Sequence, residues 1–392
     1  MRRADAGERA RLGELFAELS AIESPYANER ACADRVIAEL RGLGLEVLED
    51  DAGAAVGANA GNLLARVPSR DELDPTHPPR DHQAPAGPSI LLCAHLDTVP
   101  LTAPVEPVLV DEGWENRHAA ILGADNKAAV AVILAVARRA VAEPPPVGLE
   151  LLFTVSEEYA LAGAKQFDVS QLRSAFGYVF DHATPIGEVI VASPTYHRLT
   201  ADFHGVAAHA GIRPEDGRSA IAAAARAIAA MPLGRLDAET TANVGTIRGG
   251  SGINVVPDSC RVEAEARSLD ETKVEALVTE LVDHIHDGAN AAECDVDVTV
   301  EQLFKGYRVR PSAPQLVAAE AALHACGYVP RRIVSGGGSD ANAFIAAGFP
   351  CLNLANGTER AHQVDERVAV VALDGMLDVA LTLVGEAATV LC

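Results

Sequence analysis

One stretch of the sequence decides the fold, and it is Ser89-Ile-Leu-Leu-Cys-Ala-His-Leu-Asp-Thr-Val-Pro100. Its apolar run predicts a buried strand that ends in His95 and Asp97. Residues two apart on a strand point to the same face, so both side chains can reach one site. A carboxylate beside a metal-binding imidazole fixes the tautomer and the direction of the ring. A His and an Asp after a strand are more often turn or core residues, so this prediction depends on what other strands bring to the same place.

The composition is that of a globular, acidic protein. The chain has 392 residues, 49% of them hydrophobic and 22% charged, which is enough for two domains with their own cores. The net charge of −23 disfavours nucleic acid and anionic membranes as partners. The N-terminus lacks the apolar core of a signal peptide, no apolar segment is long enough to span a membrane, and the seven cysteines include no C-x-x-C pair. We therefore expect a cytoplasmic protein without disulfides or a thiolate zinc site.

Acidic residues and histidines also follow other apolar runs or start the next element. They are Asp125, Glu157, Glu158, Asp181 and His362. The strands that precede the last four are predicted over 149–156, 177–180 and 350–354, whereas Asp125 starts an Ala-rich helix, where a plain N-cap is the alternative. Strands that alternate with helices predict an α/β, largely parallel sheet. Such sheets collect function at the C-terminal ends of their strands.

The pattern changes between residues 195 and 308. The predicted order there is strand, helix, strand, strand, helix, strand, which is that of a ferredoxin-like α+β domain. After residue 309 the α/β pattern returns. We predict a discontinuous α/β domain formed by residues 1–194 and 309–392, with a smaller domain, residues 195–308, inserted in it. The proline-rich residues 68–88 predict a surface loop, in which His77 and His82 are weaker candidates for binding.

Five residues are candidate metal ligands: His95, Asp125, Glu158, Asp181 and His362. Imidazoles and carboxylates suit zinc and related divalent ions such as cobalt and manganese. Three carboxylates and one hydroxide would balance two such ions, whereas a single ion would leave these ligands in excess. We therefore predict two divalent metal ions per chain, preferably zinc, about 3.5–4 Å apart.

Glu157 is the candidate general base. A metal pair lowers the pKa of a bound water from 15.7 to about 7, which makes a nucleophile at neutral pH. A further carboxylate must accept the proton and pass it to the leaving amine, and Glu157 lies beside Glu158 without being needed as a ligand. Because consecutive side chains diverge on a regular strand, the chain must turn here for both to face one site.

Eight stretches resemble the aminoacylase/carboxypeptidase family of two-metal peptidases, and within it the peptidase-T branch. They follow the family's order along nearly the whole chain. They are Ala94-His-Leu-Asp-Thr-Val, Leu122-Gly-Ala-Asp-Asn-Lys-Ala, Ser156-Glu-Glu, Phe180-Asp-His, Ala207-Ala-His-Ala-Gly-Ile-Arg-Pro-Glu-Asp-Gly, Glu265-Ala-Arg-Ser-Leu, Ser335-Gly-Gly-Gly-Ser-Asp-Ala-Asn and Ala361-His.

The resemblance implies a specific division of the metal ligands. Asp125 would bridge the two ions, His95 and Asp181 would complete one site, and Glu158 and His362 the other.

It also assigns roles beside the metals. Asp97 would orient His95, and Glu157 would be the general base. Family members usually have Asp after the bridging Asp, often with a cis peptide bond between the two. This chain has Asn126 there, which is not expected to bind metal.

In the inserted domain the resemblance implies contacts with the substrate. His209 would polarise the scissile carbonyl, often in the partner's active site, and Asn254 and Arg267 would hold a substrate carboxylate. Gly337 and Gly338, in the run 336–338, would border the cleft. Taken singly, His209, Arg267 and the glycine run have plainer interpretations: a satisfied surface or core histidine, a solvated salt bridge, and a tight turn before a helix.

The sequence thus predicts a zinc-dependent peptidase acting on short peptides, a tripeptidase-like aminopeptidase. The resemblance further implies a homodimer formed through the inserted domain, which would also act as a lid. The alternatives are an N-acyl-amino-acid deacylase or a carboxypeptidase of the same architecture, or a non-catalytic metal-binding homologue. Glu157 argues against the last, because a binding protein needs no proton shuttle.

Overall fold

The predicted strand that ends in His95 forms over Ser89–His95 and is buried along its whole length. The computed structural model describes residues 1–74 and 88–391. Most of the predicted proline-rich loop, with His77 and His82, therefore lies outside the described residues. At its start, Arg70–Leu73 form a helical turn capped by Ser69.

The helices and strands of the described residues are named here in chain order. The helices are α1 (Ala6–Ser20), α2 (Arg30–Gly42), α3 (Ala52–Val56), α4 (Arg70–Leu73), α5 (Ala124–Ala142), α6 (Ala162–Gln166), α7 (Ala220–Ala230), α8 (Glu271–Ala291), α9 (Pro314–Cys326), α10 (Asp340–Ala346) and α11 (Val370–Leu391). The strands are β1 (Val47–Glu49), β2 (Leu63–Val67), β3 (Ser89–His95), β4 (Pro107–Val110), β5 (Gly113–Asn116), β6 (Gly148–Thr154), β7 (Phe176–His182), β8 (Glu188–Ser193), β9 (Thr195–His204), β10 (Gly234–Arg235), β11 (Thr240–Gly249), β12 (Ser259–Ser268), β13 (Asp295–Phe304), β14 (Tyr307–Arg308), β15 (Arg331–Val334), β16 (Cys351–Ala355), β17 (Thr358–Glu359) and β18 (Arg367–Ala369).

The largest sheet is mixed, with its parallel strands in the middle. Its order is β1-β2-β6-β3-β7-β16-β8-β14, and β15 also pairs with β8. Strands β6, β3, β7 and β16 run parallel, whereas β2 and β8 pair with them antiparallel, and β1 pairs antiparallel with β2. The predicted α/β, largely parallel sheet is confirmed. The ends of its parallel strands meet at one edge, which is where such sheets position functional residues.

Helix α5 is the central helix of the α/β part. Its Ala- and Val-rich sequence is apolar on nearly all sides, which is typical of a helix buried in a core. It packs on β3 and against α1 and α11. The residue before it, Gly123, has φ 73°, a left-handed conformation that glycine adopts without a steric penalty. This turn brings Asp125 to the beginning of the helix.

The smaller part is built on an antiparallel sheet of order β10-β11-β12-β9-β13. Alternate residues of β9, namely Leu199, Ala201 and Phe203, are buried in a core shared with α7 and α8. The residues between them face away, as expected for a half-buried strand. The β-α-β-β-α-β order is the predicted one, with the short β10 in addition.

The chain divides into two compact units. One comprises Met1–Val191, Arg308–Val334 and Gly338–Cys392, and the other Ala192–Tyr307 with Ser335–Gly337. The sequence placed the boundaries at 194/195 and 308/309 and assigned 335–337 to the α/β domain. Among the described residues, no helix is both long and apolar enough to cross a membrane.

Two local features differ from what the sequence predicts. The residues that follow the His95 strand show no regular pattern and predict an irregular region, yet they contain the hairpin of β4 and β5. The turn residues of this hairpin, Asp111 and Glu112, have φ 45° and 60°, and the usual sequence signal for such a turn, Asn-Gly, is missing. The Ala-rich run after Pro214 predicts a helix over 214–231, but α7 begins only at Ala220, because the Ser219 side chain caps it by accepting from the N–H of Ala222.

Candidate metal centre

His95 ends β3 with its ring buried. Its Nδ1 lies 3.0 Å from the backbone oxygen of Asp97 and 3.4 Å from the carboxylate of that residue. Because a carbonyl oxygen only accepts, the proton of a neutral His95 lies on Nδ1. Nε2 then presents its lone pair to Asp125 Oδ1 at 3.4 Å and to Asp181 Oδ1 at 3.3 Å. The Asp97 side chain was predicted to orient the His95 ring. The backbone oxygen of Asp97 lies closer to Nδ1 than its carboxylate does, so the backbone makes the shorter orienting contact.

Asp125 lies between the two imidazoles. Its Oδ1 is 3.4 Å from His95 Nε2, and its Oδ2 is 3.5 Å from His362 Nε2. The peptide bond between Asp125 and Asn126 is cis. A carboxylate whose two oxygens face different imidazoles has the geometry of a bridging ligand.

The loop before Asp125 is fixed by Glu366. The buried carboxylate of Glu366 accepts from the N–H groups of Leu122, Gly123 and Asp125 at 2.8, 2.9 and 2.9 Å. Burial raises its pKa to about 7, against the lowering effect of these hydrogen bonds. The backbone that carries Asp125 is thus held by a residue of the loop between β17 and β18, which also carries His362.

Asp181, near the C-terminal end of β7, is held by its neighbours in the sheet. Its N–H donates to Asn353 Oδ1 at 3.0 Å, and Asn353 Nδ2 donates to its carbonyl oxygen at 3.1 Å. Asn126 Nδ2 donates to Asp181 Oδ1 at 3.3 Å. An ionised Asp at position 126 has no proton to donate, so here the departure from the family pattern supplies a donor to a candidate ligand.

The chain turns directly after β6, as required for two consecutive glutamates to face one site. Ser156 has φ 52°. The carboxylate of Asp97 then accepts from the N–H groups of Glu157 and Glu158, at 3.0 Å each. The turn brings one oxygen of each glutamate and a ring nitrogen of His95 within 4.8 Å of one another.

His362 comes from the loop between β17 and β18. Its backbone has φ 66°, and its side chain is 49% exposed. Nε2 lies 2.8 Å from Glu158 Oε1 and 3.5 Å from Asp125 Oδ2. It is the most accessible of the five predicted ligands, so it lies at the mouth of the centre.

Among the residues that the structure describes, three groups of side chains have ligand atoms within 4.8 Å of one another. They are His95–Asp125–Asp181, Asp125–Glu158–His362 and His95–Glu157–Glu158. The first two share Asp125 and contain all five predicted ligands, divided as the resemblance implies. The third shows that Glu157 is also close enough to bind a cation, so distance alone does not separate base from ligand.

The electrostatics of the centre favour added positive charge. Burial raises the pKa of Asp181 to about 8 and, together with Asp181, raises that of Glu157 well above its usual value. Burial would also raise the pKa of Asp125, but His362 and His95 lower it below the ordinary range. Within the described part of the chain, the buried Asp125 Oδ1 has no hydrogen-bond partner. Crowded carboxylates with an unpaired buried oxygen are what divalent cations satisfy.

Comparison with known proteins identifies the family of the chain. A family model described as peptidase dimerisation domain matches residues 193–293, and one described as peptidase family M28 matches residues 76–191. The crystal structure of aminopeptidase PepT from Bacillus cereus superposes with a TM-score of 0.84 at 34% identity, covering 97% of this chain and 99% of that one. The chain belongs to the M20 family of peptidases, close to peptidase T.

Two further relatives extend over nearly the whole M20 chain. A tripeptidase from Staphylococcus aureus gives a TM-score of 0.89 at 32% identity, with 97% and 99% of the two chains covered. An uncharacterised protein, YqjE of Bacillus subtilis, is 34% identical over 379 residues, which are 96% of this chain and 98% of YqjE. The protein is accordingly a peptide hydrolase by family.

In this M20 peptidase the predicted substrate residues lie in the smaller unit, except Gly338. His209 and Asn254 are exposed neighbours, since the N–H of Ala210 donates to the backbone oxygen of Asn254 at 2.9 Å. Nδ1 of His209 accepts from the N–H of Gly211 at 3.2 Å. The ring proton of a neutral His209 is therefore on Nε2, which is the form that can donate to a carbonyl oxygen.

Arg267 is engaged on several sides. Its Nε and Nη2 donate to the two carboxylate oxygens of Glu265 at 3.2 and 2.9 Å, and its Nη1 donates to the carbonyl of Gly336 at 3.0 Å. Its guanidinium carbon lies 4.0 Å from the ring centroid of Tyr196. The salt bridge with Glu265 is therefore one contact of Arg267, beside those with the Gly336 carbonyl and the Tyr196 ring. These contacts also hold the guanidinium rigidly in one orientation.

The glycine run is fixed by two serines. The Ser193 hydroxyl donates to the carbonyl of Gly337 at 2.8 Å, and the N–H of Gly337 donates to Ser335 Oγ at 3.0 Å.

Sequence reasoning missed two residues that hold the ligands, Glu366 and Asn353. The acidic residues after His362 were a signal for Glu366, but they resemble the start of a helix. A polar side chain within the apolar run 350–354 was a signal for Asn353.

Proposed function

We propose that this chain is a two-metal aminopeptidase that acts on short peptides in the manner of a tripeptidase. One observation carries the proposal: two groups of ligands share Asp125 at the C-terminal edge of the sheet. The full-length similarity to aminopeptidase PepT and to a tripeptidase supports the same substrate class.

The residues present fit two divalent metal ions, which we take to be zinc, with cobalt or manganese as alternatives. His95 and Asp181 would hold one ion, Glu158 and His362 the other, and Asp125 both. The carboxylate crowding and the unpaired Asp125 Oδ1 support this assignment. Bound ions would supply an activated water and stabilise negative charge on the carbonyl oxygen.

Glu157 would move the proton. The residue is 9% exposed, and its backbone N–H donates to Asp97, so its carboxylate is held within the centre. It would take the proton from the attacking water and return it to the amine that leaves. His209 would donate from Nε2 to the scissile carbonyl, and Asn254, Arg267, Gly337 and Gly338 would contact the rest of the substrate.

The proposal is tested with an activity panel on metal-reconstituted protein. We expect a tripeptide to be cleaved at its N-terminal bond, with activity abolished by a chelator and restored by the metal. Cleavage of N-acetyl amino acids would instead identify a deacylase, and release of the C-terminal residue a carboxypeptidase. No turnover of any amide by the reconstituted protein would leave only a binding function.

Removing the C-terminal charge of the substrate should reduce turnover. If Arg267 holds that carboxylate, an amidated tripeptide loses a charge-assisted hydrogen bond to the guanidinium, and hydrogen bonds to charged groups are worth about 1.5–3 kcal/mol. We expect kcat/KM to fall roughly ten- to a hundred-fold. Arg267→Met should show a similar loss with the acid peptide and little further loss with the amide.

Arg198 is the matched control, because it is another arginine of the same unit paired with a glutamate, Glu301. Arg198→Met should leave the ratio between acid and amide unchanged. Equal turnover of both peptides by the unmodified enzyme would show that Arg267 is structural and that the anchor lies elsewhere.

The smaller unit is proposed to pair two chains. The match to a peptidase dimerisation domain over 193–293 supports this, and so do the edges of its five-stranded sheet, which offer backbone groups for pairing. Light scattering of the intact protein should give twice the chain mass of 40.9 kDa. A fully active monomer would contradict the proposal.

A further inference from the structure

Three consecutive backbone N–H groups in the turn after β6, those of residues 156–158, donate to buried carboxylates. The N–H of Ser156 donates to Glu29 Oε1 at 3.1 Å. The next two, those of Glu157 and Glu158, donate to the two oxygens of Asp97. Asp97 belongs to the His95 motif, but Glu29 comes from the start of α2, and neither the motifs nor the metal centre accounts for it.

The turn needs to be held, because its first residue is in an unfavourable conformation. Ser156 has φ 52°, and a left-handed non-glycine residue costs of the order of 1–3 kcal/mol, so it persists only where the surroundings determine it. Glu29 Oε1 binds both polar groups of this residue: the N–H and, at 3.0 Å, the hydroxyl. Among the described residues, no other side chain forms a hydrogen bond with Ser156.

Glu29 is itself rigidly placed. It is fully buried, and Oε1 also accepts from the N–H of Ala27 at 2.9 Å. The segment before it pairs with the loop after β3: the Ser24 hydroxyl donates to the Leu96 oxygen at 2.7 Å, and the N–H of Thr98 donates to the Ser24 oxygen at 2.9 Å. One short segment, 24–29, therefore contacts both loops that carry candidate catalytic residues.

We propose that Glu29 is a positioning residue for Glu157, fixing through Ser156 the direction in which the general base enters the centre. The inference rests on the proposed role of Glu157. Because a displacement of about 1 Å can cost roughly 10²-fold in rate, losing this contact should affect turnover more than binding.

Three substitutions separate geometry from charge. Glu29→Gln keeps an Oε1 acceptor without the charge, whereas Glu29→Asp keeps the charge but withdraws the oxygens by about 1.5 Å, one carbon–carbon bond. We expect Glu29→Gln to retain most of the activity. Glu29→Asp and Glu29→Ala should lose roughly ten- to a hundred-fold in kcat, with KM and metal content unchanged.

Glu150 provides a matched control. Like Glu29, Glu150 is a buried glutamate, and it lies on β6. One of its oxygens accepts from the N–H groups of Arg173 and Ser174 and from the Ser174 hydroxyl, which is the same set of donor types that Glu29 binds. Glu150 lies at the opposite end of the strand from Glu157. Glu150→Ala should therefore lower the melting temperature while leaving kcat per folded, metal-loaded chain unchanged.

The measurements are kcat, KM, metal content and melting temperature for each variant with a tripeptide. The inference is overturned if Glu29→Asp keeps the unmodified kcat, or if Glu29→Ala loses activity only in proportion to lost metal or lost folded protein, as Glu150→Ala would. If Glu29→Ala does not fold, the kcat of Glu29→Gln is compared with that of Glu29→Asp, and equal values would overturn the inference. An unmodified enzyme that does not cleave amides would contradict the proposed function instead.

Discussion

Replacing Glu157 by Gln is expected to lower kcat by roughly 10²–10⁴-fold while both metal ions stay bound. The amide has nearly the same shape as the carboxylate and keeps an oxygen acceptor, but it cannot take a proton from water. The fold should be unaffected, because the hydrogen bond that fixes Glu157 to Asp97 comes from its backbone. Steady-state kinetics together with elemental analysis of the same sample would measure both effects.

Glu158→Gln is the control for the metal content of Glu157→Gln. Glu158 lies 2.8 Å from His362 and belongs to a ligand group with Asp125, so its substitution should release metal. Glu157 also lies within ligand distance of His95. If Glu157→Gln lost metal as readily as Glu158→Gln, the roles of the two glutamates would have to be exchanged.

Asp125→Ala is expected to remove metal and activity together. Asp125 is common to two ligand groups, and its oxygens face His95 and His362 separately, so its loss takes a ligand from both ions at once. Elemental analysis should show two ions per chain in the unmodified protein and loss of both in the variant. Activity should fall to background and should not be restored by added metal at concentrations that saturate the unmodified enzyme.

Asp378 is a suitable control for that substitution. Its side chain is 12% exposed against 13% for Asp125, and it accepts from the N–H of Ala4 and from the Arg9 guanidinium. Asp378→Ala should reduce stability without changing metal content. One tightly held ion per chain, together with full activity of Asp125→Ala, would rule out the two-metal assignment.

The central strands of the larger sheet were predictable because each is an apolar run that leads to a candidate site residue. Strands β3 and β7 are apolar runs with His95 and Asp181 at their C-terminal ends, and β6 leads through a short turn to Glu157. A parallel sheet brings such ends to one edge. The antiparallel pairing of β2 and β8 with the central strands left no signal, because a short apolar run is compatible with either direction.

The candidate site was predictable only in its innermost residues. Histidines and carboxylates at strand ends can be recognised by type and position. Glu366, which holds the loop of Asp125, and Glu29, which holds the turn of Glu157, do so by accepting from backbone N–H groups far away in sequence. A backbone amide is the same in every residue, so no pattern of side chains reveals which acid will meet it.

The discontinuous arrangement of the larger unit has a consequence for the newborn chain. His95 is synthesised long before β16 and His362, and the entire smaller unit emerges between them. At about 5–20 residues per second, the ribosome needs roughly 15–50 s to pass from one histidine to the other. During that interval the second ligand group does not exist, while the intervening segment has its own sheet and core with which to fold. The second ligand group of this peptidase can therefore form only after the whole smaller unit has been synthesised.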